Sequence, residues 1–315
     1  MDMKNAVMWG MKILALFGIV LNLFLLWRKT KQLRATTEKD EIFGLTGEEI
    51  WQHQKQPRRA IPNAIIGLVA NFFDTLGIGS FAPSSSAFKI AKSVDDINVP
   101  GTLNVGDTFP VCIEAFLFFG FVDMDLITLG LMLVAFVIGA VLGAGVVSKF
   151  DRKKVRLSMF AGLFILGIVM LCKVMGVGPF GIVGTATKLR GIKLVIAVVC
   201  NFIFGALMCI GVGLYAPCMA LCALLGLNVG CAFPAMMGSC AYLMAFGNGP
   251  KFIKEGRLDF HATWMQGIFG CIGVFLAYYV VKSMDLKTLT YVVICVCELT
   301  AFMFLKDAIT KGSEA

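Results

Sequence analysis

From Leu194 to Pro250 the chain has no charged side chain, a gap of fifty-seven residues. As helix that stretch would cross a hydrocarbon layer of ~30 Å roughly three times. Charge is scarce throughout, 15% of residues against 58% hydrophobic, which excludes an ordinary soluble domain. Histidine is nearly missing, with His53 and His261 alone, and no C-x-x-C pair occurs. Zinc and disulfide readings of the eleven cysteines therefore lose their basis, and most of these cysteines lie in apolar runs as small hydrophobes. No G-x-x-x-x-G-K-[ST] stretch is present, which disfavours ATP-driven pumping by this chain.

What the chain does hold is a series of membrane-length segments. Leu126 to Ser148 and Ala262 to Val281 are uncharged and each suffices for one crossing. Val7 to Trp27 lacks a small-residue cleavage site and is followed by Arg28, Lys29, Lys31 and Arg34, so it is expected to stay as an N-out anchor helix. In the polar stretch 28–60, Thr46 and Glu49 make a capping box ahead of Ile50 and Trp51, the signature of a short interfacial helix. The net charge of +8 comes from basic residues in short loops beside these segments, a topology signal rather than a nucleic-acid surface.

Two motifs recur in order. Gly77-Ile-Gly79-Ser-Phe-Ala-Pro83 returns 134 residues later as Gly211-Val-Gly213-Leu-Tyr-Ala-Pro217, and Asn104-Val-Gly106-Asp-Thr-Phe-Pro110 returns as Asn228-Val-Gly230-Cys-Ala-Phe-Pro234. A third pair, Val147 to Lys153 and Val281 to Lys287, shares V-x-x-x-D-x-K. The spacing predicts a duplicated unit: a broken segment (61–93, then 197–226) followed by helices at 101–119, 124–148 and 157–175, then 228–246, 260–282 and 288–305. The domains are thus an anchor and linker (1–60), a first repeat (61–176) and a second (193–306). If the broken segment dips in and returns, the copies are inverted; if it spans, they are parallel. Lys149, Arg152, Lys153, Lys154 and Arg156 join the basic linker on the cytoplasmic side only in the first case, although Lys188, Arg190 and Lys193 then lie outside, against the rule. The expected fold is an all-α integral membrane protein, with two inverted repeats of three crossings plus a re-entrant broken helix and an extra N-terminal transmembrane helix.

Glycine pairs followed by proline interrupt a helix and leave backbone groups unpaired, which hydrocarbon tolerates only where protein or a water-filled cavity covers them. The short helices near Pro83 and Pro217 then aim their positive N-terminal ends inward, where an anion is the natural guest. The expected substrate-binding residues are Gly77, Gly79, Ser80, Ser84, Asn104, Gly211, Gly213 and Asn228. For each asparagine, bridging between helices is the competing role. Asp74, Asp107 and Glu114 are intramembrane acids without acidic counterparts in the second repeat; Asp74 and Glu114 are candidates for proton coupling, while Asp107 is expected near the interface. Gly139, Gly143 and Gly145 form a packing face, and His261 is expected at an interface rather than in catalysis.

These residues resemble the TauE/SafE family of sulfite and sulfonate exporters over Ile61 to about Lys306, through the G-x-G-x-[FY]-A-P break in each half, the N-V-G-x-x-F-P stretch and the Val122-Asp-Met-Asp125 to Asp151-Arg-Lys153 helix. The resemblance implies a secondary carrier of small sulfur-containing anions in a bacterial or archaeal cytoplasmic membrane, not an enzyme, with no cofactor or metal. The partners implied are the anionic substrate and the lipid bilayer, with no nucleic acid; a homodimer stays open. Rival readings are a passive anion channel and a membrane-embedded thiol enzyme using Cys218, Cys222 and Cys231.

Overall fold

The computed structural model describes residues 3–41, 43–95, 97–147, 152–177, 184–208 and 214–310. Among them every regular element is helical, with one isolated bridge between Ala186 and Leu227. Among the described residues three helices are long and apolar enough to cross a membrane, Lys4–Ala35, Val229–Glu255 and Phe260–Lys282; Leu126–Leu142, Phe160–Cys172, Ile192–Met208 and Tyr215–Leu225 are shorter apolar helices. By its internal contacts the chain forms two compact units.

The first unit takes Met1–Thr75, Gly79–Leu117 and Cys240–Tyr279. Its helix α1 (Met3–Ala35) runs well past the expected 7–27, through the basic residues that were expected to follow it. Trp9, Ile13, Phe17, Val20, Phe24 and Trp27 form an exposed apolar face on α1. Helix α2 (Gly47–Gln54) has the expected capping box, the Thr46 amide donating to Glu49 Oε2 at 2.8 Å. Helix α3 (Pro57–Thr75) and helix α4 (Phe81–Ala91) make a hairpin. Its ends meet: Arg59 Nε donates to the Ser93 carbonyl at 2.8 Å and Nη2 lies 2.9 Å from Asp95 Oδ2.

Helices α5 (Val99–Gly106) and α6 (Thr108–Phe118) stand where a single helix over 101–119 was expected. Pro110 explains the interruption, because it has no N–H for the Gly106 carbonyl four residues back and its ring crowds that carbonyl. The N-V-G-x-x-F-P motif pairs that glycine and proline, and where the motif recurs the helix is again interrupted, between the 3₁₀ turn Val229–Cys231 and the helix Ala232–Leu243.

That later rod continues through a π-helical turn, Met244–Asn248, into a short helix, Gly249–Glu255. The Ala245 carbonyl of the turn accepts from Asn22 Nδ2 of α1 at 2.8 Å, so a partner is supplied where the π turn alters the helical ladder. The buried cluster of Leu26, Val105, Phe109, Ile253, Leu258 and Phe260 locks these helices to one another.

The second unit holds Leu76–Ile78, Phe118–Ser239 and Val280–Ala315. Numbered on in chain order, its helices are α7 (Leu126–Val147), α8 (Arg152–Met175), α9 (Ile192–Met208), α10 (Tyr215–Leu225), most of α11 (Ala232–Leu243) and α14 (Leu286–Thr310), while α12 (Gly249–Glu255) and nearly all of α13 (Phe260–Lys282) belong to the first unit. Gly139 of α7 and Gly205 of α9 let the backbones approach, since a Cβ on either would collide with the carbonyl of Phe202 or Phe136 respectively. Helices α8 and α14 meet through the rings of Phe160, Phe164 and Phe302.

The units do not follow the sequence halves. Helix α3 of the first half packs on α13 of the second, where a Cβ on Gly273 would collide with the Leu68 carbonyl. Helix α9 of the second half packs on α7 of the first through Gly139 and Phe202. Gly139 and Gly273 are 134 residues apart, and so are Leu68 and Phe202. The same offset relates α4 to α10 at both ends, and it relates the left-handed residues Lys92 and Gly226 that terminate them. It also relates Arg59 to Lys193, whose Nζ donates to the Leu225 carbonyl at 3.1 Å and so ties the start of α9 to the end of α10. The second break, with Gly211 and Gly213, lies outside the described residues, as does most of the 147–153 motif.

Candidate functional site

At the tip of the first hairpin the chain passes through Leu76–Ser80 between α3 and α4. Gly77 at φ 97° and Gly79 at φ 89° adopt the left-handed conformation that a side chain would resist. Pro83 sits in the first turn of α4, where a missing amide hydrogen costs nothing. The turn delivers Ser80 and Ser84 beside the interruption between α5 and α6, where Asp107 is fully buried.

Asp107 is the hub of this region. Gln266 Nε2 of α13 donates to its Oδ1 at 2.8 Å, Asn71 Nδ2 of α3 donates to the same oxygen at 3.2 Å, and Ser80 Oγ donates to Oδ2 at 3.1 Å. Gln266 Nε2 also reaches Ser84 Oγ at 3.3 Å. The other amide atoms, Asn71 Oδ1 and Gln266 Oε1, are buried without a hydrogen-bond partner. One helical turn from Asn71, Thr75 Oγ1 donates to Glu114 Oε1 at 2.6 Å. Asp74 is also buried.

Of the residues expected to bind substrate, Gly79, Ser80 and Ser84 lie at this tip, while Gly77 packs against Met219 within the second unit. Asn104 sits elsewhere, donating to the Pro100 carbonyl at 2.9 Å and accepting from Asn248 at 3.1 Å. Asn228 caps the 3₁₀ turn, accepting from the Gly230 amide at 2.9 Å. Asp107, expected near an interface, is fully buried and accepts hydrogen bonds from three side chains. Asn71, Thr75 and Gln266 do not stand out in the sequence. For Gln266 the signal that could have found it is a polar amide in a largely apolar helix, while Asn71 and Thr75 share one helical turn with Asp74.

Outside the apolar segments, the carboxylates of Asp125 and Asp259 open helices. Asp125 precedes α7, accepts from the Thr128 amide at 2.9 Å and forms a fork with Arg190, both arms at 2.9 Å. The guanidinium holds the Asp125 carboxyl well below the usual carboxylate range. Asp259 precedes α13, 134 residues later, and accepts from the Ala262 amide at 2.8 Å. Arg59 is 3.7 Å from it, yet burial prevails and pushes Asp259 up to about 6. His261, beside it, meets the Trp51 ring edge-on at 5.4 Å.

Among the described residues no group of three or more His, Cys, Asp and Glu side chains is placed to hold a metal ion, and every cysteine is a free thiol. Comparison with family models, characterised protein sequences and solved structures gave no match.

Proposed function

We propose that this protein is a membrane-embedded secondary transporter of small sulfur-containing anions, such as sulfite or a sulfonate, built from two inverted repeats with a re-entrant hairpin in each. The observation that carries the reading is the α3–α4 hairpin. Its two ends are joined through Arg59, Ser93 and Asp95, so the chain enters and leaves on one face, and its tip is broken at the glycines. Lys193 and Leu225 repeat that closure in the second half. Two hairpins separated by three crossings face opposite sides of a bilayer, as inverted repeats require.

Other features agree with a bilayer. Trp9 and Trp27 are both about half exposed and lie eighteen residues apart on α1, a rise of about 27 Å, which sets the two amphipathic rings at opposite interfaces. The 188–193 loop, whose basic residues fall on the wrong side by the loop-charge rule, uses two of them structurally. Arg190 forks onto Asp125, and Lys193 caps α10.

The anion is placed at the N-terminal turn of α4, where free amides and the helix dipole favour negative charge. Its sulfur chemistry comes from the TauE/SafE resemblance. The experiment is uptake into vesicles containing the purified protein, with sulfite, several sulfonates, sulfate and a carboxylate as competitors. Saturable uptake inhibited best by sulfite or a sulfonate is expected; uptake no faster than in protein-free vesicles overturns the proposal.

A further inference from the structure

The Asp107 cluster has a counterpart in the second half that lacks its chemistry. The 134-residue offset carries Asn71 to Gly205, Ser80 to Leu214, Ser84 to Cys218 and Gln266 back to Met132; the motif carries Asp107 to Cys231. Leu214, Cys218, Cys231 and Met132 are buried and apolar, so the corresponding positions in the second half are filled without a single charge. The offset thus gives the polar set of the first half no polar counterpart. That set also carries a burden, because every hydrogen-bond partner of the buried Asp107 carboxylate is neutral. A buried ion without a counter-ion is strongly disfavoured.

We infer that Asp107, Asn71, Gln266, Ser80 and Ser84 form a site for one sodium ion, which accompanies or exchanges with the anion. The inference rests on the transport reading for that coupling, but not for the binding itself. The ligands suit a hard cation: a carboxylate, two amides and two hydroxyls converge, with no sulfur or imidazole among the groups joined by these hydrogen bonds. The unpartnered Asn71 Oδ1 and Gln266 Oε1 belong to the two amides whose nitrogens touch Asp107. Turning the Gln266 amide over replaces N–H by carbonyl oxygen on the side facing the carboxylate, so it donates to Asp107 in one state and coordinates a cation in the other, while Asn71, whose Nδ2 also donates to the Gly67 carbonyl at 2.9 Å, keeps its orientation and offers its unpartnered Oδ1. Asp107 is the single charged group among these ligands, and its charge balances a monovalent ion. Sodium at this place also offsets the carboxylate that would repel an anion at the adjacent turn of α4, which gives the two ligands a physical reason to bind together.

The test is binding of radiolabelled Na⁺ to the purified full-length protein in detergent, with K⁺ and choline as competitors and no anion substrate present. Saturable binding of one ion per chain is expected, displaced poorly by K⁺ and not by choline. Asp107→Asn should weaken it about a hundredfold, as expected for stranding a buried charge. If that variant does not remain monodisperse, Ser80→Ala removes only a hydroxyl and should weaken Na⁺ binding about fivefold to tenfold, the effect of losing one hydrogen-bond-strength ligand. Absence of saturable Na⁺ binding, or unchanged affinity in the folded variants, overturns the inference. If Na⁺ binds as described while vesicles move no anion, the sodium site stands and the transport reading fails; anion uptake without Na⁺ binding removes the sodium site and leaves transport standing.

Discussion

Arg59, at the start of α3, donates to the main-chain carbonyl of Ser93, just beyond the end of α4. A side chain that ties the first residues of one helix to the last of the next fixes the sense of the hairpin. In a bilayer that bond decides between a segment that spans and one that returns, and the direct check is accessibility. In a background freed of native cysteines, Arg58→Cys and Ala91→Cys, both exposed in the structure, should react with an impermeant maleimide from the same side of the membrane, and Asp123→Cys from the other. Opposite labelling of positions 58 and 91 would require a spanning segment and parallel repeats.

Helix α7 offers an internally controlled test of packing. A Cβ on Gly139 would collide with the Phe202 carbonyl, a backbone atom that cannot rotate away, whereas a Cβ on Gly130 would meet nothing within 4 Å. Gly139→Ala should lower stability by about 1–3 kcal/mol through overpacking, and Gly130→Ala should be neutral or stabilise by up to about 1 kcal/mol through helix propensity. Thermal unfolding in detergent checks both. The reverse order would mean that α7 and α9 do not meet along Gly139.

The Asp125–Arg190 fork should give stability a defined pH dependence. The folded-state pKa of Asp125 is depressed below its unfolded value, so its contribution is fully present above the unfolded value of about 3.9 and is lost as pH falls below it. Both side chains are partly exposed, so solvent screening limits the effect to about 1 kcal/mol. Asp125→Asn should cost about that much at neutral pH and flatten the part of the unfolding profile that falls below about pH 4. A profile identical to the parent's would mean that the fork contributes nothing.

The sequence disclosed the scaffold better than the centre. Charge-free runs and the recurring G-x-G-x-[FY]-A-P break are local patterns, so the break at Gly77 and Gly79 and the cap at Thr46 and Glu49 could be read directly. The hub at Asp107 could not, because it exists only once α3, α4, α6 and α13 converge, and Gln266 reaches it from 159 residues away. Nor does a repeat show which halves exchange helices. Gly139 signalled close packing, but its partner on α9 is set by tertiary structure.

Asn104 and Asn228 head the repeated N-V-G-x-x-F-P motif, yet their amides have local work: Asn104 binds the Pro100 carbonyl and Asn248, and Asn228 caps a 3₁₀ turn. If that work is their whole role, replacing them removes hydrogen bonds worth about 1 kcal/mol each and leaves flux per folded molecule unchanged. If they also donate to the anion, the double variant Asn104→Ala/Asn228→Ala should lose saturable uptake while inserting normally. Anion uptake normalised to monodisperse protein separates the two. Because these hydrogen bonds go to the Pro100 carbonyl, the Asn248 side chain and the Gly230 amide rather than to the Asp107 cluster, Na⁺ binding should survive in the same variant, so an effect confined to anion flux would locate the asparagines on the anion's path.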